Sequence, residues 1–374
     1  MEEINSLEDF YKKVTDIYGN AKRNYNLHQI KINVAINIVD DANSVNITDC
    51  VFTEDFKFSS KVGISASFKG TVFEKGASFD NSYFERKARF IGTKFKGEAS
   101  FSNTRFGDLV DFWGAEFSKP TIFYKTDFLG VTVFSTTTFY ENVLFTYTLI
   151  DKVLILRGTN FKKGLDLSLT VLNGSLSTFD IRLNDFRTVS DTEIEEDYEE
   201  LISKKAEIPE KNKRETFRIL KKELQNQGNF FDALIYSSLE THTYFNQTKK
   251  KLLKRNSWNI IQDYLILQFN YYSNKNGKSW TRGILFTVLA GALFTYLSVI
   301  STETYCIGFN KMNWADLRQG MIFFFYSLLP THDIDYLKDL NPTAWFYAWD
   351  FIGRTIIAYG IYQTVQAFRK FKST

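Results

Sequence analysis

Cysteine and proline are scarce: the 374 residues include 2 Cys and 4 Pro. Cys50 and Cys306 are too far apart in sequence to make a disulfide framework or a metal knuckle. So little proline, beside 17% aromatic residues, excludes a collagen-like or disordered chain and requires a packed core. An excess of one charge is also missing. With 46 Lys and Arg against 43 Asp and Glu, the net charge of +3 does not make a polycation that coats nucleic acid. The opening MEEINSLEDF lacks the basic start and apolar run of a secretory signal, so the amino terminus is expected in the cytosol.

Catalytic patterns are absent as well. His28, His242 and His332 fall in three separate segments, which leaves no two-histidine metal site and no triad. Asn276-Gly277-Lys278-Ser279 fails as a phosphate loop because Tyr272 stands where the first glycine is required. No enzyme, metal or cofactor is expected.

Phenylalanine, by contrast, is abundant and ordered. It falls at Phe68, Phe73, Phe79, Phe84, Phe90, Phe95, Phe101, Phe106, Phe112, Phe117, Phe123, Phe128, Phe134, Phe139 and Phe145, in steps that alternate five and six. Ile150, Leu156, Phe161, Leu167 and Leu172 continue the grid, so the unit is eleven residues. Two residues before each site stands a small or β-branched residue, such as Ala66, Thr71, Ala77, Ser82 or Thr93. A helix with an eleven-residue repeat would also need apolar residues three and four apart, and Lys, Gly, Glu and Asn occupy those slots. Short extended sides separated by corners fit instead, winding a solenoid whose coils stack about 4.8 Å apart with identical side chains in ladders.

The run FIGTKFKGEASFSNTRF resembles the pentapeptide-repeat family, in its Phe-rich variant with one extra residue in alternate repeats. The resemblance covers roughly residues 45–180. It implies a right-handed, four-sided parallel β-helix in which two such units make one coil, with about five regular coils. Ile47, Phe52 and Phe58 fit the grid loosely, with a slip near Gly63. DNA mimicry, known in this family, requires a strongly acidic face; residues 61–180 carry 15 basic and 12 acidic side chains, so nucleic-acid mimicry is not expected.

The open ends of a solenoid invite strand addition and have to be covered. Leu7, Phe10, Val14 and Ile17 at helical spacing, with Ser6 and Asp9 as a capping box and Gly19 as a stop, predict a helix over 6–18 within an N-terminal cap, residues 1–32. The β-helix is assigned to 33–182. Residues 183–256 read as a linker containing the acidic DTEIEEDYEE, followed by a helical hairpin broken at Gln227-Gly228-Asn229.

The remainder is membrane-like. Residues 283–302 carry no charge over twenty positions and match the hydrocarbon thickness as a first span. A second span is assigned to 344–368, where Asp350 and Arg354, four residues apart, share a helical face and can pair. Lys249, Lys250, Lys251, Lys254, Arg255, Lys275, Lys278 and Arg282 precede the first span, and Arg369, Lys370 and Lys372 follow the second, which places both flanks and the 369–374 tail in the cytosol. Residues 257–282 suit an interfacial helix on the inner leaflet, a packed soluble helix being the alternative. The intervening 303–343 is expected outside, with a re-entrant half-helix over 314–330.

Helix, short re-entrant helix, acidic loop, helix: this order is similar to the two-span pore module of the potassium-channel superfamily. The family's glycine-containing filter is missing, and Ser327, Pro330, Thr331, His332, Asp333 and Asp335 lie in its place. The resemblance implies a pore lined by 344–368, with Gly353 or Gly360 as a bend and Thr331, Asp333 and Asp335 ringing an oligomeric mouth. Two readings compete. One is a multi-pass inner-membrane, ion-conducting or permeabilising homo-oligomer, tetrameric if a channel, controlled by a cytosolic solenoid. The other is a bilayer-tethered scaffold that binds a cytosolic protein and conducts nothing. Asp350 and Arg354 serve in either reading as a clasp between helices, a gating contact or a headgroup site.

Overall fold

The computed structural model describes the chain apart from residues 17–22, 193, 255–256, 304–313, 334–340 and 369–374. Two compact units divide it, Met1–Asn229 and Phe230–Thr374.

The first unit is a parallel β-solenoid of about 7 turns. Val72–Phe73, Ala77–Ser78, Tyr83–Phe84 and Ala88–Arg89 form the four sides of one coil. Each pairs in parallel with its counterpart two repeat units later: Lys94–Phe95, Ala99–Ser100, Arg105–Phe106 and Val110–Asp111. The sides are this short because a turn follows almost at once. Phe68 O accepts from Thr71 N at 3.1 Å and Phe79 O from Ser82 N at 3.2 Å, while Gly70 and Asn81, third in each turn, have φ of 67° and 60°. That is the type II turn, which requires a left-handed third residue. One corner column runs Gln29, Asp49, Gly70, Gly92, Gly114, Thr136, Gly158 and Asp180, and the other Asn81, Asn103, Lys125 and Tyr147, all at positive φ.

All fifteen ladder phenylalanines are buried. Phe90, Phe112 and Phe134 stack with centroids 4.7 Å apart at each step and planes within 9°. The small column does more than make room. Thr93 Oγ1 donates to Phe68 O at 2.8 Å, Thr104 to Phe79 O at 2.8 Å and Thr137 to Phe112 O at 2.7 Å. A Phe carbonyl thus accepts from the turn of its own coil and from a hydroxyl of the next.

Near Gly63 the expected slip has a structural cause. Lys61–Ser67 is one straight strand that crosses a corner and pairs with both Tyr83–Phe84 and Ala88–Arg89. The slip itself lies just before this strand: Phe56 to Lys61 is five positions where Ala77 to Tyr83 is six. Ile36 pairs with Phe56, and Phe56 with Ala77, steps two and one short of the regular coil that begins where Ala77 pairs with Ala99.

The amino-terminal expectation requires correction. Helix α1 is only Leu7–Lys12, capped where Ser6 Oγ accepts from Asp9 N. Val14–Asp16 is instead a strand antiparallel to Arg23–Tyr25, because β-branched Val14 and Thr15 fit a paired edge better than a helix interior. Ile17 and Gly19 lie outside the described residues. Solenoid pairing also starts earlier than residue 33: Arg23–His28 lies on Ala42–Thr48, and Glu2–Ile4 on Ile30–Ile32.

At the other end, α2 (Glu195–Ser203) and α3 (Glu210–Asn226) belong to the solenoid unit. Thr216 Oγ1 accepts from Leu167 N at 2.9 Å, Asn212 Nδ2 donates to Asp166 Oδ2 at 2.7 Å, and Gln227 donates to Leu176 O. Helix α3 therefore satisfies part of the last coil and caps it, and the helical pair expected over 213–247 is divided between the two units. The chain passes between units at Gly228, φ 73°.

The second unit is helical: α4 (Phe230–Lys254), α5 (Trp258–Asn274), α6 (Trp280–Ile300), α7 (Trp314–Ser327) and α8 (Ala344–Phe368). Phe245 of α4 stacks on Tyr264 of α5 at 5.3 Å. Helices α6 and α8 lie antiparallel and close. A Cβ on Gly353 would come 2.7 Å from Phe294 Cβ, Gly360 faces Thr287, and Gly283 faces Thr364. Of the described helices only α6 is both long and apolar enough to cross a membrane, with mean hydropathy 2.1. Helix α8 has the length for a span, but Asp350, Arg354, Gln363, Gln366 and its Tyr and Trp residues dilute its apolar character.

Two consequences can be measured by urea unfolding. Phe101→Ala costs about 3–5 kcal/mol, as a cavity in the ladder, whereas Thr136→Gly stabilises by about 0.5–1 kcal/mol by relieving a β-branched residue at φ 55°. Burial raises the Asp166 pKa above the usual carboxylate range. The native state then holds a proton that the unfolded chain has released, so stability falls as pH rises from the usual Asp value to the raised one. Asp166→Asn flattens that slope.

Candidate functional site

Within the helical unit, polar side chains converge where α6, α7 and α8 meet. Helix α7 is 14 residues long, roughly 21 Å at 1.5 Å per residue, and its end packs on the middle of α6: a Cβ on Gly291 would meet Leu328 at 2.6 Å. There the Thr295 and Ser327 hydroxyls bond to each other, and Ser327 Oγ also donates to Phe324 O at 2.8 Å. Each of these half-buried hydroxyls thus has a protein partner.

The turn after Ser327 brings His332 back against α8. Its side chain is 2% exposed, with Nε2 2.9 Å from Asp350 Oδ1 and Nδ1 2.7 Å from Leu329 O. One ring nitrogen thus meets a carboxylate oxygen and the other a backbone carbonyl. Arg354 Nε donates to Asp350 Oδ2 at 2.7 Å. One carboxylate, 11% exposed, therefore sits between the His332 ring and the Arg354 guanidinium. Arg354 Nη2 is buried with no hydrogen-bond partner among the described residues. Beside it lies a cavity of about 20 Å³, bordered also by Ser298, Ser327, Gly353 and Ile357, roughly the room for one water.

A second polar cluster ties α5 to α8. Asn270 Oδ1 accepts from Tyr359 OH at 2.7 Å and from Gln363 Nε2 at 2.8 Å, and Asn274 Nδ2 donates to the side chain of Gln363. Asn270 and Asn274 thus tie α5 to α8, while Trp258, Ile266 and Tyr272 of the same helix are exposed.

Of the residues singled out in the filter position, Thr331 and Asp333 are exposed and Pro330 half-buried, while Ser327 and His332 turn inward; Asp335 lies outside the described residues. Gly353 and Gly360 are buried and do not interrupt α8, whose helix is continuous across both; what they provide is close approach to α6. The i, i+4 spacing made the Asp350–Arg354 pair visible in sequence. Its third member, His332, had no such signal, because it precedes α8 and reaches Asp350 only through the fold of the intervening chain. The amide cluster was equally silent, since Asn270 and Asn274 belong to a segment far along the chain from Gln363.

Because His332 shares the carboxylate, Asp350→Ala destabilises the unit by about 1–3 kcal/mol by removing the hydrogen-bond acceptor of both His332 and the half-buried Arg354. The exchange Asp350→Arg with Arg354→Asp does not recover that loss, since it removes the acceptor from His332. Thermal unfolding of the three forms in detergent checks this; full recovery in the exchanged form would show that the pair acts without His332.

Residues 79–127 match the family model described as pentapeptide repeats (9 copies). No curated protein and no solved structure matches the chain. The matched stretch lies in the middle of the solenoid, and coils continue from it in both directions, in the same register as far as Leu183 on the C-terminal side. Family match and coil geometry together support assigning this solenoid to the pentapeptide-repeat family.

Proposed function

We propose that the protein is a membrane-anchored interaction scaffold, with its helical unit seated in a lipid bilayer and its solenoid offering rigid faces to a cytosolic protein partner. The observation that carries this reading is the outward surface of the helical unit. Leu285 and Leu289 of α6, Phe325 of α7, and Trp345 and Phe351 of α8 are each more than half exposed, while Thr295, Ser298, His332, Asp350 and Gln363 turn inward. In water each such apolar side chain left exposed forgoes about 1.5–3 kcal/mol, and patches of this kind mark a missing partner. Lipid is the solvent that suits apolar side chains outside and paired polar ones inside. Helix α6, with 21 residues, reaches roughly 31 Å, about the hydrocarbon thickness. Basic residues before α6 and after α8 favour cytosolic flanks.

A second reading, ion conduction by a homo-oligomer, draws on one feature. Thr331 and Asp333 are exposed at the end of a short helix between two long ones, where copies around an axis would form an acidic ring.

Flotation on a density gradient separates the first reading from a soluble protein. The full chain is expected to rise with neutral phosphatidylcholine vesicles and to resist alkaline carbonate; recovery at the bottom overturns the anchor. For the second reading, cation flux into the same vesicles should appear and fall at least fivefold in Asp333→Ala. No flux with correctly inserted protein leaves the tether.

A further inference from the structure

Charge is balanced over the whole chain, with 46 Lys and Arg against 43 Asp and Glu, but not where α4 leads through α5 into α6. Over residues 241–282 eight basic residues stand against a single carboxylate, Asp263, which already accepts from Tyr244 OH at 3.2 Å. Lys249, Lys251 and Lys254 at the end of α4, and Lys275 just after α5, are exposed and form no ion pair among the described residues.

The same segment leaves large apolar side chains in solvent. Leu253, near the end of α4, is 81% exposed, and Trp258, which opens α5, is 68% exposed. From Trp258, spacings of seven, four and three lead to Leu265, Phe269 and Tyr272, which puts the four on one stripe of the helix. The last three are 46–63% exposed, whereas Leu267 and Asn274, opposite the stripe by helical spacing, are buried. Basic groups flank the stripe at both ends: Lys254 stands four residues before Trp258, and Lys275 three after Tyr272. The hydrogen bonds described between α5 and α8 join Asn270 and Asn274, in the C-terminal part of α5, to Tyr359 and Gln363. They lie toward the end of the bundle where Trp280 stacks on Phe368 at 5.3 Å.

We propose that the end of α4 and the exposed stripe of α5 form a docking surface for anionic phospholipid. This rests on the membrane reading of the helical unit and names the lipid that its surface helix meets. The stripe enters the boundary between headgroups and acyl chains, where Trp and Tyr partition. Lys249, Lys251, Lys254 and Lys275 reach from its rim to negatively charged headgroups, their stems lying on the apolar layer. The two halves of the surface select one occupant together. A nucleic acid would neutralise the lysines but leave Trp258 and Leu265 in water, and a neutral leaflet would take the stripe but give the lysines no counter-charge.

The full chain is reconstituted in phosphatidylcholine nanodiscs with a trace of phosphatidylglycerol carrying a diazirine at the top of one acyl chain. After irradiation, adducts are mapped by mass spectrometry, and the matching phosphatidylcholine probe is run in parallel. Adducts in 249–272 are expected to be at least fivefold more abundant with the phosphatidylglycerol probe. Joint replacement Lys249→Gln, Lys251→Gln and Lys254→Gln lowers them at least fivefold, as does raising the ionic strength. Labelling of 283–302 by either probe stays constant, and the melting temperature stays near the parent's. Equal labelling of 249–272 by the two probes, or labelling unchanged in the Lys→Gln variant, overturns the anionic preference. Adducts in 283–302 with none in 249–272 overturn the docking surface and leave the membrane reading standing, whereas adducts in neither segment overturn both.

Discussion

Everything in the first unit depends on in-register stacking of one coil on the next. Ring upon ring at 4.7 Å, as for Phe112 on Phe134, is possible only if the coils repeat with a constant number of residues. That constancy depends in turn on the left-handed corner within each type II turn. The threonine hydroxyl completes the arrangement. By donating to the Phe carbonyl of the preceding coil, it satisfies a second lone pair of an oxygen that faces the protein rather than water. Side-chain stacking, corner geometry and carbonyl pairing therefore hold or fail together, as expected of a nearly one-dimensional repeat.

The same dependence locates the places where the structure departs from regularity. Lys61–Ser67 runs straight through a corner, and the coils beside it fall short of the regular length by one position or two. Near the other end, aliphatic residues replace Phe and a groove lies under α3. A ladder tolerates these changes at its ends because each coil touches only its neighbours. A similar replacement in the middle would be felt on both sides.

The helical unit solves a different problem. Glycines let α6 and α8 approach until side chains such as Phe294 and Thr287 rest on the opposite backbone, and close approach leaves little room for water. Every inward polar group then needs a protein partner: Thr295 finds Ser327, Asn270 finds Tyr359 and Gln363, and Asp350 finds His332 and Arg354. Polar pairing directed inward and apolar surface directed outward are two sides of one arrangement.

How much of this could be read from the chain depends on the distance over which each feature is encoded. The solenoid was legible because its period is local: five- and six-residue steps recur, with a small or β-branched residue two positions before each site. The Asp350–Arg354 pair was legible for the same reason, being one helical turn apart. The short side before Lys61 showed as the slip near Gly63, but the straight strand Lys61–Ser67 did not show, since nothing in its composition distinguishes a corner from a strand that runs through it. Helical spacing and a capping box implied an N-terminal helix to residue 18, yet pairing with Arg23–Tyr25 drew Val14–Asp16 into a strand, because edge hydrogen bonds outweigh a weak helical stripe. By itself, then, the sequence determined the repeat, its period and the apolar character of the last hundred residues, all of which follow from short-range spacing. Only the tertiary structure decided that α3 closes the solenoid, that a groove stays open beside it, and that His332 completes the Asp350 cluster, because each of these rests on contacts between segments whose spacing along the chain carries no periodic signal.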